Sequence, residues 1–550
     1  MHLTIGFSGP AGTGVNTAGI LIAELLAQKG FNIWADKEYA SIIKGDNNCF
    51  FVSVCDDVKI FLTKKIDVFF AFDQFSVDKN QDIYDLTNIV EMKDVKVAHK
   101  NIFAFGACLE VLGIGEQEGI DFLKQEKHEL DNEVNLQDLK AGYERSSQNA
   151  EGSQISFSDL GFDQNIGEKK AFKLGNQLIG EGAISAGMEF YGAYPMTPIT
   201  GVIDTIVEHP EVTFFQGEDE IAVAMAMLGA KYAGKRAMCG TSGGGFALMT
   251  ESISFSHQAE IGGVYLLGMR DGPSTGTPTF TGQGDLAFAM NASFGETSPA
   301  VLAPSTFEEV FTMMGLAFNR SDKYQHPIVV LVDKQLAEGY KTVSEGDLVQ
   351  VEIDRGEKVE GRVGLTDDYL RYRDTESGIS PEAIPGTEGI LSMTTSYEHD
   401  ESGATNENPI IKQKMMEKRF RRRMTFYTKE YSKDFQAYEV INPYAEKFFV
   451  TRGINRYNLE KIIENRPEWG LIVIKIFHPF SAHLPDRFET HKNQIKKLIF
   501  VEMNYEGQME KVVRNECNLK TEDWNEKISH FRKYSLYPIF LEEVEGLLKE

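Results

Sequence analysis

The chain has 550 residues, of which 42% are hydrophobic and 25% charged, an ordinary composition for a globular protein with about three to four compact units. Acidic residues outnumber basic ones by 82 to 56, so a general surface for the phosphate backbone of nucleic acid is not expected. No apolar run approaches the ~20 residues of a membrane helix, and the N-terminus has no basic stretch followed by an apolar core. These features predict a cytoplasmic protein with neither a nucleic-acid nor a membrane partner.

The five cysteines are Cys49, Cys55, Cys108, Cys239 and Cys517. They lie far apart in the sequence except for the pair Cys49 and Cys55, which five residues separate, and none of them forms a CxxC unit. This spacing disfavours an iron–sulfur cluster or a structural zinc site within the chain. Buried free thiols are therefore expected.

Residues 1–127 alternate strand-like and helix-like segments, a pattern that favours a doubly wound parallel sheet. Strands are predicted at Leu3–Phe7, Asn32–Ala35, Phe50–Val54 and Val68–Phe72, and a helix at Thr17–Lys29. Residues 128–170 are polar with little periodicity, so we interpret them as a linker.

Residues 171–343 predict a second α/β unit. Its helices are expected at Asn176–Ala186, Glu218–Tyr232 and Phe246–His257, and its strands at Glu189–Tyr194, Arg236–Gly240, Gly263–Met269 and Pro327–Val332. Residues 344–435 are interpreted as a connecting arm that ends in a basic helix, Lys412–Arg423. Residues 436–550 predict a third, smaller α/β unit with strands Phe448–Thr451, Gly470–Phe477 and Lys497–Glu502 and a helix Tyr457–Asn465.

A glycine-rich turn, Gly9 to Gly14, follows the first strand and opens a helix. That placement can present backbone N–H groups and the helix dipole to an anion. The turn lacks the Lys-Ser/Thr pair of a P-loop and the spacing of a GxGxxG motif. A tight structural turn and a ligand cradle both stay open.

The segment from Gly6 to Gly30, followed by Asp36 to Val54, resembles the γ subunit or domain of 2-oxoacid:ferredoxin oxidoreductases. That family has a glycine turn, an apolar helix, a Glu-Tyr pair and an Arg/Lys-Gly-Gly-x-Asn segment before an antiparallel strand. This chain has Glu38-Tyr39 and Lys44-Gly45-Asp46-Asn47, with Asp46 in place of the usual second glycine.

The segment Gly192-Ala193-Tyr194-Pro195-Met196-Thr197-Pro198-Ile199-Thr200 stands at the end of a predicted strand. Its two prolines fix φ and restrict the residues before them, so the Thr197 hydroxyl is held stiffly and suits a substrate carboxylate or carbonyl. A Pro-x-x-Pro turn is more often a loop without chemistry. This one resembles the Tyr-Pro-Ile-Thr-Pro-Ser/Thr signature of the family's α subunits.

Three acids, Glu218, Asp219 and Glu220, precede an apolar helix. Acidic residues in a first turn complement the helix dipole, so none of them needs a further function. Because the helix after Glu220 is apolar on most sides, its carboxylate is expected to be partly desolvated. In the resemblance, Glu220 matches the glutamate that hydrogen-bonds N1′ of the thiamine aminopyrimidine and so promotes loss of the thiazolium C2 proton. Glu218 and Asp219 are interpreted as caps.

The turn that begins Thr241-Ser242-Gly243 has almost no side chains, which lets a flat ring or a substrate approach the backbone closely. A tight turn without a ligand is the alternative. The segment resembles the family's Thr-Ser-Gly-Pro-Gly turn, with Gly244 in place of the proline, and this resemblance assigns Thr241, Ser242 and Gly243 to the cofactor.

Arg270 ends a predicted strand, where open α/β sheets place their ligands, and a guanidinium is a natural fork for a carboxylate. Most arginines are solvated surface groups. The segment Arg270–Thr279 resembles the family's Arg-Gly-Gly-Pro-Ser-Thr-Gly-x-Pro-Thr, in which the arginine and the last threonine face the 2-oxoacid. Asp271 replaces a glycine, and a pair between Asp271 and Arg270 is one possibility.

Two later regions also match the family. Gly378–Thr387 and Glu398–Gly403 lie in the arm, where the resemblance places Asp400 on the substrate side and no ligand spacing supports a metal at His399. His478-Pro479-Phe480 and Val501–Gln508 resemble segments of the family's C-terminal, transketolase-like domain that are chiefly structural.

The resemblance covers nearly the whole chain outside the linker and implies three open α/β domains. These are a γ-type domain (1–127), a pyrimidine-binding domain for thiamine diphosphate (171–343) and a transketolase C-terminal-like domain (436–550). The implied reaction is coenzyme A-dependent oxidative decarboxylation of a 2-oxoacid to acyl-CoA and CO2, with electrons passed to ferredoxin. Because fused γ–α chains are common among enzymes for 2-oxoglutarate or a broad range of 2-oxoacids, these substrates are preferred by analogy.

The sequence has neither a Gly-Asp-Gly…Asn motif for Mg²⁺ at the diphosphate nor a cysteine set for a [4Fe–4S] cluster. The resemblance assigns both to a β subunit that shares the thiamine diphosphate, so a heterodimer is expected. Two other classes stay open. One is a non-catalytic or regulatory homologue, which Asp46, Gly244 and Asp271 permit, and the other is a flavin- or nucleotide-binding oxidoreductase that uses the N-terminal glycine turn.

Overall fold

A computed structural model describes residues 2–41, 47–56, 60–148, 167–359, 369–429 and 437–549. The strands are β1 His2–Pro10, β2 Asn32–Glu38, β3 Asn47–Cys55, β4 Lys65–Ala71, β5 Asp85–Glu91, β6 Ala171–Leu174, β7 Phe190–Ala193, β8 Thr213–Gln216, β9 Ala237–Ser242, β10 Gly263–Met269, β11 Ala300–Leu302, β12 Pro327–Asp333, β13 Tyr340–Val343, β14 Tyr438–Ile441, β15 Lys447–Thr451, β16 Trp469–Ile474, β17 Ile476–His478, β18 Lys497–Glu502 and β19 Ile528–Arg532.

The α-helices are α1 Val15–Gln28, α2 Gln74–Asn80, α3 Lys100–Val111, α4 Glu116–Glu126, α5 Glu133–Gln148, α6 Gly175–Ser185, α7 Val202–Val207, α8 Glu220–Tyr232, α9 Gly243–Leu248, α10 Thr250–Gln258, α11 Leu286–Met290, α12 Phe307–Tyr324, α13 Lys334–Glu338, α14 Pro409–Lys429, α15 Asn455–Ile463, α16 His483–Thr490, α17 Gln508–Glu516, α18 Glu522–Asn525 and α19 Leu541–Glu545. In the described part of the chain, none of them is long and apolar enough to cross a membrane.

The first sheet has the order β5-β4-β1-β3-β2-β13-β6 and is mixed. Strands β5, β4 and β1 are parallel, whereas β3 is antiparallel to both β1 and β2. The connection from β2 to β3, residues 39–46, is shorter than the dozen or so residues that a parallel crossover needs. The sheet is therefore mixed, and β3 is the antiparallel strand that the family resemblance implies.

Two strands from the middle of the chain, β13 and β6, complete this sheet. Tyr340 and Lys341 of β13 pair with Ala35 and Trp34 of β2, and β6 pairs antiparallel with β13. The N-terminal strands are thus hydrogen-bonded to the second region. This pairing brings the residues after β2 close to the residues before β13.

The second sheet has the order β17-β11-β12-β10-β9-β7-β8, in which every pair except β17–β11 is parallel. Its strands β9, β10 and β12 are buried along their whole length, as expected for strands covered by helices on both faces. The third sheet has the order β14-β16-β15-β18-β19, with only β14 antiparallel. The α/β class with three sheets is confirmed.

The predicted segment Gly470–Phe477 divides into two strands that belong to different sheets. Strand β16 lies in the third sheet, and β17 continues after Lys475 into the second sheet. Similarly, the predicted helix Phe246–His257 is two helices, α9 and α10, which meet at Met249. Periodicity does not reveal the first break, because the residues on both sides of Lys475 are apolar.

The segment expected as a linker, residues 128–170, contains the helix α5, and its residues 149–166 lie outside the described ones. The helix packs on α3 at Gly106 and Gly142, where an added Cβ would lie 2.0 Å from the backbone oxygens of Leu139 and Phe103. A helix contact made through glycine backbones needs few apolar side chains. The polar composition of this segment therefore did not indicate the helix α5. The domain limits stay a prediction.

The arm helix α14 is anchored by a buried ion cluster. Glu260 in the second region and Lys418 and Arg422 in α14 are each 0% exposed. The Lys418 ammonium donates to Glu260 Oε2 at 2.7 Å, and Arg422 Nη1 lies 3.1 Å from the same oxygen. Burial alone would raise the pKa of Glu260, but these cations hold it at about 2. The arm is therefore fixed to the second region by charge as well as by packing.

Candidate active site

The candidate site lies at the carboxyl ends of the parallel strands of the second sheet. Strand β7 leads into Tyr194–Thr200, β9 into Gly243, β10 into Arg270 and β12 into Lys334. Parallel strands end at one edge of a sheet, so these four segments meet there. Three of them carry motifs that the sequence singles out.

Glu220 is the first residue of α8 and is only 4% exposed, whereas Glu218 is exposed. Asp219 is the N-cap, since its carboxylate accepts from the backbone N–H of Ala222 at 2.8 Å. The cap interpretation of Asp219 is supported, and the helix begins two residues later than predicted. Oxygen Oε1 of Glu220 is buried and has no hydrogen-bond partner among the described residues. A buried acceptor without a donor is costly unless a ligand supplies one.

The turn after β9 lies beside this carboxylate. A Cβ built on Gly245 would lie 2.4 Å from Glu220 Oε1 and 2.1 Å from Thr241 Oγ1. Thr241 and Ser242 are 0% exposed, and the Ser242 hydroxyl is also buried without a hydrogen bond. Glycine at 245 is therefore required, because a side chain there would displace the carboxylate and the threonine hydroxyl.

Arg270 and Thr197 are brought together as the motifs predict. Arg270 Nη1 donates to the backbone oxygen of Thr197 at 3.0 Å. Burial lowers the pKa of Arg270 against the nearby Asp285 carboxylate, but an arginine stays charged. Asp271 accepts instead from the hydroxyl of Thr277, and no ion pair joins it to Arg270 in the described structure. The Asp271–Arg270 pair does not form because the turn folds Asp271 back on its own loop.

The N-terminal region contributes two residues to this edge, Tyr39 and Ser41, which sequence reasoning did not assign to the site. The Tyr39 hydroxyl donates to Glu338 Oε1 at 2.8 Å and is hydrogen-bonded to the Thr197 side chain. Ser41 Oγ lies 2.8 Å from Thr279 Oγ1. The Glu-Tyr pair of the resemblance pointed to this segment, and the β2–β13 pairing explains its position.

Two lysines surround Glu338, the carboxylate that accepts the hydrogen bond of Tyr39. Lys334, which is 2% exposed, lies 3.2 Å from Glu338 Oε2, and the Lys37 ammonium lies 3.6 Å from Oε1 of the same carboxylate. Burial and the Glu338 charge raise the pKa of Tyr39 well above its usual range. The phenol is therefore neutral near pH 7 and holds a fixed hydrogen bond between Glu338 and Thr197.

A cavity of about 440 Å³ opens beside Arg270. Its other walls come from the C-terminal region, including Asn504, Tyr505, Lys533 and Tyr537. The segment Val501–Gln508, expected to be chiefly structural, thus also lines this cavity. The volume lies within the range of small-molecule sites, about 300–1,000 Å³.

Other predicted residues do not join the site. Asp400 accepts from Ser402 and Asn406 within a turn of the arm, and none of its hydrogen bonds reaches the site residues described above. His399 stacks on Tyr372 with ring centroids 3.9 Å apart. Asp46 lies outside the described residues.

The two ends of the N-terminal glycine turn are closely packed, whereas its middle glycine, Gly12, has no atom of the described residues within 4 Å of an added Cβ. A Cβ on Gly9 would lie 2.7 Å from Phe72, and one on Gly14 would lie 2.7 Å from Asn101. This packing gives Gly9 and Gly14 a structural role, and the open middle of the turn leaves the ligand-cradle alternative in place. All five cysteines are free and buried, as predicted, and the described residues hold no group of three or more metal-ligating side chains.

These features fit one half of a thiamine diphosphate site. Glu220 offers an unpartnered buried acceptor to a ring donor, and the turn at 241–245 presents little side-chain bulk beside it. Arg270 supplies a cation at the cavity wall for an anionic substrate. The described residues supply no oxygen cluster for a metal at a diphosphate.

Comparison with protein families agrees with this geometry. Residues 181–418 match the model described as pyruvate flavodoxin/ferredoxin oxidoreductase, thiamine diphosphate-binding, and residues 4–90 match that described as pyruvate ferredoxin/flavodoxin oxidoreductase. The first match includes the Glu220 turn and Arg270. The matched region is thus a thiamine diphosphate-binding domain.

Relatives and a solved structure extend the similarity to the whole chain. The 2-oxoglutarate synthase subunit KorA of Methanocaldococcus jannaschii is 32% identical over 64% of this chain and 92% of its own length. The 2-oxoacid:ferredoxin oxidoreductase subunit alpha of Sulfolobus sp is 27% identical over 94% and 92%. A 2-oxoglutarate:ferredoxin oxidoreductase from Magnetococcus marinus, with 2-oxoglutarate, coenzyme A and succinyl-CoA bound, has a TM-score of 0.85 at 26% identity, covering 100% of this chain and 99% of that one. The chain therefore belongs to the 2-oxoacid:ferredoxin oxidoreductase family, as an α subunit.

Proposed function

We propose that the chain is the fused γ–α subunit of an enzyme that oxidatively decarboxylates 2-oxoglutarate or a range of 2-oxoacids to acyl-CoA and CO2. The observation that carries this proposal is the buried, unpartnered Glu220 carboxylate beside the glycine turn. The bound molecules named for the Magnetococcus marinus enzyme support the substrate class. We expect the enzyme in the cytoplasm.

Glu220 holds N1′ of the aminopyrimidine ring, and Thr241, Ser242 and Gly243 form the wall beside it. Bound thiamine diphosphate supplies the nucleophilic carbon and the electron sink that decarboxylation of a 2-oxoacid needs. The burial of Glu220 removes competing water from its hydrogen bond, which strengthens the contact. This assignment of the carboxylate is the core of the proposal.

Arg270 binds the carboxylate of the 2-oxoacid, and the hydroxyls of Thr197 and Thr279 orient its oxygens. The backbone bond from Arg270 to Thr197 fixes the two groups relative to each other. Tyr39 and Ser41 hold the two threonine hydroxyls from the other side. Asp400 stays a hypothesis based on resemblance alone.

A β subunit completes the enzyme. It supplies the Mg²⁺ and diphosphate half of the thiamine site and the [4Fe–4S] cluster that passes electrons to ferredoxin. The described part of this chain supplies neither a metal-ligand cluster nor a CxxC unit. The apolar side chains Ile221 and Met225 of α8, which are 51% and 44% exposed, lie next to Glu220 and are suited to be covered by that partner.

The test is co-purification with the β subunit, followed by extraction of cofactors and an assay for acyl-CoA. We expect thiamine diphosphate and iron–sulfur absorbance, with CoA- and ferredoxin-dependent turnover of a 2-oxoacid, and no turnover by this chain alone. Flavin in the extract would favour the nucleotide-type oxidoreductase instead. A complex that binds thiamine diphosphate but converts no 2-oxoacid would identify a non-catalytic homologue.

A further inference from the structure

One carboxylate in the cavity beside Arg270 has no assigned task. Asp285 lines this cavity, and its side chain has neither a hydrogen bond nor an ion pair in the described structure. Its Oδ2 lies 3.0 Å from the position of a Cβ on Gly243, so it borders the turn proposed for the cofactor. An unpaired carboxylate between a cofactor turn and a substrate arginine is placed for chemistry.

The side-chain cap of α11, which Asp285 is positioned to make, is made by Gln508 instead. Asp285 is the N-cap of α11 but makes no side-chain cap. Instead, Gln508 Oε1 accepts from the backbone N–H of Ala287 at 3.0 Å. An aspartate at this position usually caps the helix, and here that hydrogen bond is not made. The C-terminal region therefore frees Asp285 to face the cavity.

The other ionisable groups of the cavity are engaged or unsuited to accept a proton. Asp271 accepts from Thr277, and Glu506 is paired with Lys511. The Lys533 ammonium donates to Glu543. Among the described residues that line the cavity, Asp285 is the carboxylate left for proton transfer.

We propose that Asp285 accepts the thiol proton of coenzyme A, an inference that rests on the proposed function. The overall reaction releases one proton, and the thiol is its source. The S–H bond breaks and the proton passes to Asp285, while an S–C bond forms at the acyl carbon that remains after CO2 leaves. The bond that joins this carbon to the thiazolium C2 would break in the same exchange, with its electron pair returning to the cofactor. The two electrons removed from the substrate pass to ferredoxin through the partner subunit.

The surrounding charges suit this step. Burial raises the pKa of Asp285 to about 6, against the charges of Arg452 and Arg270. A base with a pKa near the working pH is most effective toward a thiol with a pKa of about 8.5. A substrate carboxylate bound to Arg270 neutralises the positive charge of that arginine near Asp285. When the carboxylate leaves as CO2, the positive charge of Arg270 acts on Asp285 again. The anionic, basic form of Asp285 is thus favoured when the thiol reacts.

The test compares Asp285→Asn with wild type in the complex with the β subunit. Without CoA, the first-turnover release of CO2 should be unchanged. With CoA, turnover should fall about 10²–10⁴-fold, the usual range for a positioned acid–base group. The wild-type acid limb of kcat/KM for CoA, with an apparent pKa of about 6, should be absent from the variant. Equal loss of both steps, or normal CoA-dependent turnover, would overturn the inference.

A measurement independent of turnover is infrared titration of the carboxyl stretch in the complex. Wild type minus Asp285→Asn should show one carboxyl that titrates near pH 6. If the Asp285→Asn complex does not assemble, the Asp285→Glu complex takes its place in the subtraction. The carboxyl stretch of a glutamate at position 285 would lie at a different frequency from that of the aspartate. Absence of a titrating difference band would contradict the assignment.

The matched control is Asp523→Asn, which makes the same change at a carboxylate that is paired with Lys492 and does not line the cavity. We expect normal CoA kinetics and an unchanged infrared titration. If the wild-type complex forms no acyl-CoA, the proposed function fails. If wild type forms it and Asp285→Asn forms it equally well, only the role of Asp285 fails.

Discussion

Gly245→Ala tests the Glu220 pocket without changing an ionisable group. The added Cβ would lie 2.4 Å from Glu220 Oε1 and 2.1 Å from Thr241 Oγ1, against an ordinary contact distance of at least 3.4 Å. The carboxylate must therefore move by about 1.0 Å, and the threonine by somewhat more. A displacement of about 1 Å at a reacting group can cost roughly 10²-fold in rate. We expect weaker binding of thiamine diphosphate and a comparable loss of turnover in the complex.

Gly244→Ala is the matched control, because a Cβ on Gly244 meets no atom within 4 Å. Both glycines belong to α9, so both substitutions gain the same helix propensity, about 1 kcal/mol or less. The assay is titration of the complex with thiamine diphosphate, followed by the rate of C2–H exchange of the bound cofactor. Normal binding and exchange in Gly245→Ala, or an equal defect in Gly244→Ala, would refute the geometry of the pocket.

Two other substitutions test the substrate anchor and the arm. Arg270→Lys should lower kcat/KM for 2-oxoacids by about tenfold or more, since a point charge replaces a fork worth about 1.5–3 kcal/mol; unchanged kinetics with every 2-oxoacid would remove Arg270 from the site. Glu260→Gln should destabilise the complex by about 3–5 kcal/mol, measured by chemical denaturation, because Lys418 and Arg422 stay buried without their counter-ion. The pKa of Glu260 is about 2, below its ordinary 4.5, so its contribution is complete above pH 4.5 and is lost as the pH falls toward 2. A variant as stable as wild type at pH 7 would contradict this account of the arm.

Much of the fold was predictable because strand and helix patterns in the second region are strong. The strand Gly263–Met269 has the predicted limits, and β12 differs by one residue. Pairing between distant segments was not predictable. Strand β13 has four residues, and its pairing with β2 depends on how the two regions dock. The same reason explains why β17 joined a sheet other than that of β16.

Local motifs located the residues of the candidate site, because Thr197 and Arg270 follow strand ends and Glu220 begins a helix. The sequence could not indicate Asp285, because an aspartate before a short helix is expected to cap it. Only the position of Gln508, more than 200 residues later, shows that the cap is supplied from elsewhere. Tyr39 belongs to a motif that resembles the family, but its contact with Thr197 depends on the sheet that joins the N-terminal region to the second region.

The most direct test of the central claim is C2–H exchange of thiamine diphosphate bound to the complex that carries Glu220→Gln. Glutamine keeps the size and one hydrogen bond but cannot share a proton with N1′, so exchange should slow by about 10²–10⁴-fold. Glu218→Gln, which alters the exposed neighbour, should leave exchange unchanged apart from a few tenths of a kcal/mol of dipole stabilisation. Normal exchange in Glu220→Gln, or a large loss in Glu218→Gln, would show that a different carboxylate binds the cofactor.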